Sequence, residues 1–581
     1  MTRKRTLQTT LCALALSLAG AGAQAQVQDT RPNILILIAD DMGFSDVGAF
    51  GSEINTPAID QLAADGMLFT NFTVGASCSP TRTMLISGVD NHLAGLGNML
   101  EIQADNQFGK PGYEGYLNDR VVALPRLLRD SGYNTYMTGK WHLGSKPGTV
   151  AFDRGFDKSF MLAESGADNW VEQPYAPFYD RVNYYEDDKL VSLPTDSYFS
   201  SDFYTQRMIE YIDSNIDDGK PFLAWVGYQA VHYPHQAPKE FIDKYNGVYD
   251  DGFEKLRTTR LARQKELGLV SPGVELDLEM KKTTFEPWQM PDWEALSDEE
   301  QAFRARQMQT YAGMLDNMDG NIAKLLSYLE EKGVADNTIV IFMSDNGPDP
   351  NQLPLSEAYR EWFKANYDKV YMEDFDGDFS SMGQKGVYAD YGPGWAAASA
   401  VPGSYFKTFS TGGGLRVPLI VRFPGVIQPG SQIKDFAFVL DIMPTLLEIA
   451  GVERPGPIYD GREVYVPSGI SMLPVLKGEV TSVRGDDNPV GYELAGSSAV
   501  FQGRYKLMQN LAPKGTGEWE LYDTIADPSE LTDLAGQMPE LAAELRSFYD
   551  VYAQEVNLVP VPEGYNPLEQ TVINAARGSS H

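Results

Sequence analysis

Three continuous apolar runs constrain this chain more than any other feature: Asn33-Ile34-Leu35-Ile36-Leu37-Ile38-Ala39, Pro221-Phe222-Leu223-Ala224-Trp225-Val226 and Asn337-Thr338-Ile339-Val340-Ile341-Phe342-Met343. A strand with one face in water alternates apolar and polar residues; these runs do not, so each is read as a strand buried on both faces. They predict an α/β fold built on a large, mostly parallel mixed sheet flanked by helices. Each run leads into residues that carry chemistry: Asp40-Asp41 after the first, His232 and His235 beyond the second, Asp345-Asn346-Gly347 after the third. Open α/β sheets bind ligands at the carboxyl ends of their strands. Adjacent carboxylates there repel unless a cation lies between them. Taken alone, Asp40-Asp41 reads equally as a solvated turn, and Asn346-Gly347 as a tight turn.

The stretch Ser77-Cys78-Ser79-Pro80-Thr81-Arg82-Thr83-Met84-Leu85-Ile86-Ser87-Gly88 reads as a loop entering a helix. Pro80 suits the first turn and Gly88 a left-handed C-terminus. Cys78 then stands at or just before the helix N-terminus, where unpaired N–H groups and the dipole favour an anion. Arg82, four residues on, shares its face. A lone cysteine is by default a buried apolar residue, and this position is weighed against that reading.

The 581 residues suffice for a large core and two domains, read as 26–484 and 485–581. Arg3-Lys4-Arg5, the apolar run 11–23 and Ala23-Gln24-Ala25 form a secretory signal peptide over 1–25. This predicts a periplasmic or secreted protein, cleaved near Ala25. The run is too short to span a membrane, no later stretch is long enough, and no lipobox surrounds Cys12, so no membrane anchor is expected. Of the two cysteines only Cys78 survives cleavage. The mature chain cannot form an internal disulfide, and a single cysteine kept in an exported protein points to chemistry. The formal net charge is −33, and loss of the three basic residues of the signal peptide takes it to about −36. That argues against nucleic acid or an anionic membrane as partner. An anionic substrate would need a local cluster of cations or a metal ion.

A strand read at 133–137 runs into Gly139-Lys140-Trp141-His142-Leu143-Gly144; if it continues, Lys140 and His142 face the same way. A surface lysine and a loop histidine are the competing reading. Residues 307–329 carry one apolar face of helical period. The polar stretch 240–305 before them reads as an insertion. Residues 350–395 form a long acidic and aromatic excursion, and such loops are often functional. Residues 438–451 read as a helix. Alternation at 492–494, 498–502 and 505–508, with a helix at 539–552, predicts a smaller C-terminal α+β domain containing a short antiparallel sheet.

The set as a whole resembles the type I, formylglycine-dependent sulfatases of the alkaline phosphatase superfamily, most of all bacterial arylsulfatases. The resemblance spans nearly all of the mature chain. It rests on Asp40-Asp41, Cys78-x-Pro80-x-Arg82, the Gly139–Gly144 hexapeptide, His232, Asp345-Asn346-Gly347, Lys407 nine residues before Arg416-Val417-Pro418, and Glu520-Leu521-Tyr522-Asp523 with Asp527-Pro528-x-Glu530. One departure is local: many members carry Glu-Gly-Gly before the final arginine segment, where this chain has Gly412-Gly413-Gly414.

The resemblance implies an alkaline phosphatase-like fold and hydrolysis of sulfate monoesters. It implies that Cys78 is converted to formylglycine (3-oxoalanine) by a maturation enzyme acting before folding. The aldehyde hydrate would be the nucleophile, forming a sulfo-enzyme intermediate whose second hydroxyl expels sulfate. Asp40, Asp41, Asp345 and Asn346 would bind one Ca2+, with hard oxygen ligands suited to that ion. Asp345 would also help deprotonate the nucleophile; Arg82 and Lys140 would stabilise the diol and the sulfate; His142 would contact the second hydroxyl. His232 and Lys407 would bind sulfate and assist the departing alcohol or phenol. His235 is the weaker histidine candidate, and His92 is placed at the pocket edge without a catalytic role. The rival readings are a phosphonate monoester or phosphodiester hydrolase of the same superfamily, a carbohydrate sulfatase, and a calcium-dependent sulfoglycan-binding protein.

Overall fold

The structure is a computed structural model describing residues 29–194, 198–352 and 355–577; the expected signal peptide, 1–25, lies outside them. Among the described residues one sheet has eleven strands: β1 (Asn33–Ala39), β2 (Met67–Thr73), β3 (Asn134–Lys140), β4 (Lys158–Leu162), β5 (Tyr184–Glu186), β6 (Lys189–Val191), β7 (Phe222–Gly227), β8 (Thr338–Ser344), β9 (Arg416–Arg422), β10 (Ser431–Ile433) and β11 (Ala437–Phe438). Their order is β10-β2-β9-β8-β1-β7-β3-β4-β5-β6, with β11 beside β2. The three apolar runs are neighbours at its centre: β1 runs parallel to both β7 and β8. β9 is antiparallel to β8 and β2, so the sheet is mixed.

The lack of alternation in β1 has a direct structural counterpart. Ile34, Ile36 and Ile38 enter one core with Met84, Leu128 and Leu446. Leu35, Leu37 and Ala39 enter the other with Leu62, Met208 and Met318. Helices Cys78–Ser87, Leu124–Asp130 and Ile442–Ile449 cover the first face, and Pro57–Asp65, Ser200–Asp213 and Asp298–Glu331 the second. Side chains of successive residues point to opposite faces, so both need apolar cover.

A two-stranded hairpin, β12 (Ile458–Tyr459) and β13 (Arg462–Glu463), precedes a four-stranded antiparallel sheet, β14 (Val490–Leu494), β15 (Ser497–Gln502), β16 (Tyr505–Asn510) and β17 (Glu520–Asp523). The β14–β15 turn places Ala495 and Gly496 at φ +51° and +76°, the pairing a two-residue hairpin demands. Helix Pro539–Glu555 packs on this sheet through Leu545, Tyr549 and Tyr552.

Several sequence expectations shift. The helix expected at 307–329 begins at Asp298, inside the stretch read as an insertion, where Ser297 and Glu300 form a capping box. The helix expected at 438–451 is shorter, Ile442–Ile449, after a 3-10 turn. The strand before Lys140 stops there: His142 sits at φ +58°, which breaks the alternation expected to align it with Lys140. A further helix, Pro567–Arg577, follows the one read as terminal.

Candidate active site

The carboxyl ends of β1 and β8 deliver the acidic residues side by side. The Asp40 backbone continues the β1–β7 pairing through bonds with Ala230 O and Val231 N, both 2.9 Å, and Asp345 N donates to Ala39 O at 3.1 Å. Cys78 is the first residue of its helix, and Gly88 ends that helix at φ +64°. The preceding segment is clamped: Ala76 N donates to the Tyr492 hydroxyl at 2.6 Å, and Thr408 N to Ala76 O at 2.8 Å. Cys78 Sγ lies 3.4 Å from Asp40 Oδ1 and 3.7 Å from Asp41 Oδ1.

Cations close the ring. Lys140 Nζ is 2.6 Å from Asp40 Oδ2. Lys407 Nζ is 2.8 Å from Asp41 Oδ1 and 3.0 Å from Asp349 Oδ2. Arg82 donates through Nε to Asp345 Oδ2 at 2.7 Å and through Nη1 to Lys140 O at 2.8 Å. Its Nη2 is buried without a hydrogen-bond partner among the described residues. His232 Nε2 lies 3.6 Å from Asp41 Oδ2, its Nδ1 2.5 Å from Tyr233 O, and its ring is stacked on Tyr233 and edge-on to Tyr175. Asn346 Nδ2 donates to Asp41 Oδ1 at 2.7 Å while its Oδ1 has no partner. The strand-end loops therefore bring Asp40, Asp41, Cys78, Arg82, Lys140, His232, Asp345, Asn346 and Lys407 together. His142 faces the same region from Glu101, 3.0 Å from its Nε2, with Nδ1 buried and unpartnered.

Burial dominates the electrostatics. It raises the Asp40 carboxyl to about 7, only partly offset by Lys140, with Asp345 and Asp41 adding repulsion. Burial also drives the Cys78 thiol well above its ordinary value, against the pull of Lys140 and Lys407. His232 is pushed well below the usual imidazole range by burial and by the same two lysines, so it is neutral. An unmodified thiol in this setting is a poor nucleophile. One ligand atom from each of Asp40, Asp41, Cys78 and Asp345 lies within 4.8 Å of the others. With the orphaned Asn346 Oδ1, this buried oxygen-rich cluster fits a hard divalent cation.

Residues to which the sequence assigns no role in the site complete it. Glu101 accepts from His142 and from Tyr179; burial opposes its ionisation, but His142 outweighs it and holds the carboxyl at about 2. Asp349 braces Lys407, whose neighbours Tyr405 and Thr408 sit at φ +58° and +71°. A β-branched residue in that conformation is strained, and Thr408 O is held there by Lys514 Nζ at 3.0 Å. The carboxylate missing from the Gly412-Gly413-Gly414 segment arrives from elsewhere: Glu530 accepts from Gly412 N at 3.1 Å and pairs with Lys506. His92 is not at the pocket edge. It lies between Asp90 Oδ1 at 3.0 Å and Glu493 Oε2 at 3.1 Å. His235 packs edge-on against Tyr311 and Tyr391.

The sulfatase family model matches residues 32–452. The chain belongs to the sulfatase family. It is thus a sulfuric ester hydrolase of the alkaline phosphatase superfamily. A second family model, described as the N-sulphoglucosamine sulphohydrolase C-terminal region, matches residues 402–550. An uncharacterized sulfatase of Schizosaccharomyces pombe is 38% identical over 548 residues, covering 93% of this chain and 96% of the relative. An arylsulfatase of Klebsiella aerogenes is 35% identical over 463 residues, covering 79% and 95%. The solved structure of the PsFucS1 sulfatase from Pseudoalteromonas sp. shares the fold, with a TM-score of 0.60 at 20% identity, over 92% of each chain.

Proposed function

We propose that this sulfatase is an arylsulfatase, and that the residues around Cys78 divide the work of sulfate transfer from a phenol to water. The observation that carries the reading is the convergence on Cys78 of Arg82, Lys140 and Lys407, all buried in a chain of net charge −33. Such a cluster stabilises a tetrahedral anion against the hostile overall field. Asp40, Asp41, Asp345 and Asn346 would hold calcium, and residue 78 as formylglycine would carry the attacking hydroxyl, supplying charge neutralisation and a nucleophile that can release sulfate. Arg82 offers its unpartnered Nη2 to a sulfate oxygen. Lys407, and His232 once the negative charge of a bound sulfate offsets the two lysines and restores its second proton, steady the negative charge that develops on the leaving oxygen. Glu101 holds His142 Nε2–H, which leaves Nδ1 free to accept a proton.

The aryl preference is supported by the cleft beside His232 and Lys407, whose walls include Phe178, Tyr233, Phe363 and Tyr388. It is also supported by the arylsulfatase relative. The test is kcat/KM for 4-nitrophenyl sulfate, 4-nitrophenyl phosphate, phenyl phosphonate esters and 6-sulfated amino sugars. The proposal expects the aryl sulfate to lead by about tenfold or more; a lead by the phosphorus esters or by the sugar sulfates refutes it.

A further inference from the structure

The helix Pro567–Arg577 lies beyond both matched regions, which end at residues 452 and 550, yet it borders the catalytic centre. With only 11 residues, it is too short to be stable alone, and its position is set by tertiary contacts. Asn574 Nδ2 donates to Glu101 O at 3.1 Å and to Gln103 O at 3.0 Å. Arg577 pairs with Asp105 at 2.7 Å, and the Tyr565 hydroxyl, just before the helix, donates to Ile102 O at 2.5 Å. These bonds tie it to the turn that carries Glu101. On its other side Val572 and Ala575 pack against the Tyr359, Phe363 and Tyr388 cluster of the 350–395 excursion.

Held between these two supports, the helix presents Pro567, Leu568 and Thr571 to the same cleft that His232, Asp349 and Lys407 border. The cations that would steady a leaving oxygen stand on one side. The helix and the aromatic excursion supply the other sides. A flat apolar group attached to that oxygen would be covered by Leu568, Phe363 and Tyr388. A polyhydroxylated sugar would give up water there to walls that are mostly apolar, among them Met99, Ile102, Leu355, Phe363 and Leu568.

We propose that this helix is a specificity element: Leu568 and Thr571 form the wall against which the leaving group of the sulfate ester packs, and they select a flat aromatic group. The inference rests on the arylsulfatase reading above. It assigns a role to the 350–395 excursion and to the helix, which chain order places far from the catalytic residues.

The experiment uses the full chain, calcium-loaded and oxidised at residue 78, as wild type, Leu568→Ala and Thr571→Trp. Thr571 is half-buried, so the tryptophan intrudes on the cleft without emptying the core. Phenyl sulfate and 2-naphthyl sulfate have leaving groups of similar acidity and differ in size. Thr571→Trp should lower kcat/KM for the naphthyl ester about tenfold more than for the phenyl ester. Leu568→Ala should weaken inhibition by 2-naphthol several-fold while inhibition by inorganic sulfate stays as in wild type. Equal effects on both esters, or naphthol and sulfate inhibition moving together, would overturn the proposal. Quenching of protein fluorescence by 2-naphthol reads the pocket without turnover. If the wild type hydrolyses no sulfate ester but the variants still weaken naphthol binding, the arylsulfatase reading fails and the pocket stands. If naphthol does not bind the wild type, the pocket itself is wrong.

Discussion

Replacing His92 by Gln should make the stability of this protein lose a specific dependence on pH. His92 is fully buried between Asp90 and Glu493, and Glu493 lies on β14 of the C-terminal sheet. Tyr552, from the helix packed on that sheet, donates to the other Asp90 oxygen at 2.9 Å. Tyr113 packs edge-on against the imidazole. Burial alone would make the ring neutral, but the hydrogen bonds it donates to Asp90 and Glu493 outweigh that and raise His92 from 6.5 to about 9. That difference between folded and unfolded chain corresponds to about 3 kcal/mol. The folded-state value lies above the unfolded one, so the contribution is fully present below pH 6.5. It drains away as the pH rises through 9. The assay is urea unfolding of wild type and His92→Gln at pH 6 and at pH 9.5, with calcium saturating in both. The wild type should lead by about 3 kcal/mol at pH 6, and the lead should shrink to under about 1 kcal/mol at pH 9.5. A lead that stays constant across this range would refute the argument that the ring is held protonated by the two carboxylates.

The other predictions concern the site. Mass spectrometry of the peptide containing residue 78 should find formylglycine in active protein; full activity with only unmodified cysteine would sink that expectation. Metal analysis should find one calcium per active chain, and Asp40→Ala should lower both metal content and kcat/KM, the latter by about a hundredfold, because it also strands Lys140 without a counter-charge. Metal-free protein with full activity would contradict this. His232→Ala and Lys407→Ala should slow phenyl sulfates with poor leaving groups by about a hundredfold and nitrophenyl sulfate much less. Arg82→Ala should slow all of them alike, and a loss in the first two variants that is flat across leaving-group acidity would remove them from that role.

What the sequence made legible is what local order determines. Continuous apolar composition placed β1, β7 and β8 at the centre of the sheet, because burial on both faces leaves no other pattern. Spacing along one helix put Cys78 and Arg82 on a shared face, and strand ends named Asp40, Asp41, Asp345 and Asn346. The helix start at Asp298 was also written locally, in Ser297 and Glu300, but the polar first turns masked it. Pro567, with Glu569 in the first turn and Arg577 in the last, marks the final helix in the same way. Glu101, Tyr179 and Asp349 carried no such signal, and Glu530 was marked only as part of a C-terminal motif with no partner assigned. Each acts on a residue far from it in the chain, as Glu530 does on Gly412, and nothing in the adjacent sequence encodes that proximity. His142 was named for the right region by the wrong geometry, since the strand ends at Lys140 and a left-handed residue turns the imidazole in.

Cleavage of sulfate esters at the cation-ringed position 78 is open to direct measurement. Its most direct test is steady-state hydrolysis of 4-nitrophenyl sulfate by calcium-loaded protein matured at residue 78, set against Cys78→Ala prepared in the same way. Ready turnover is expected in the first and a loss of at least about a thousandfold in the second, because the substitution removes the nucleophile while leaving Arg82, Lys140 and Lys407 in place. Equal turnover by the two proteins would contradict it.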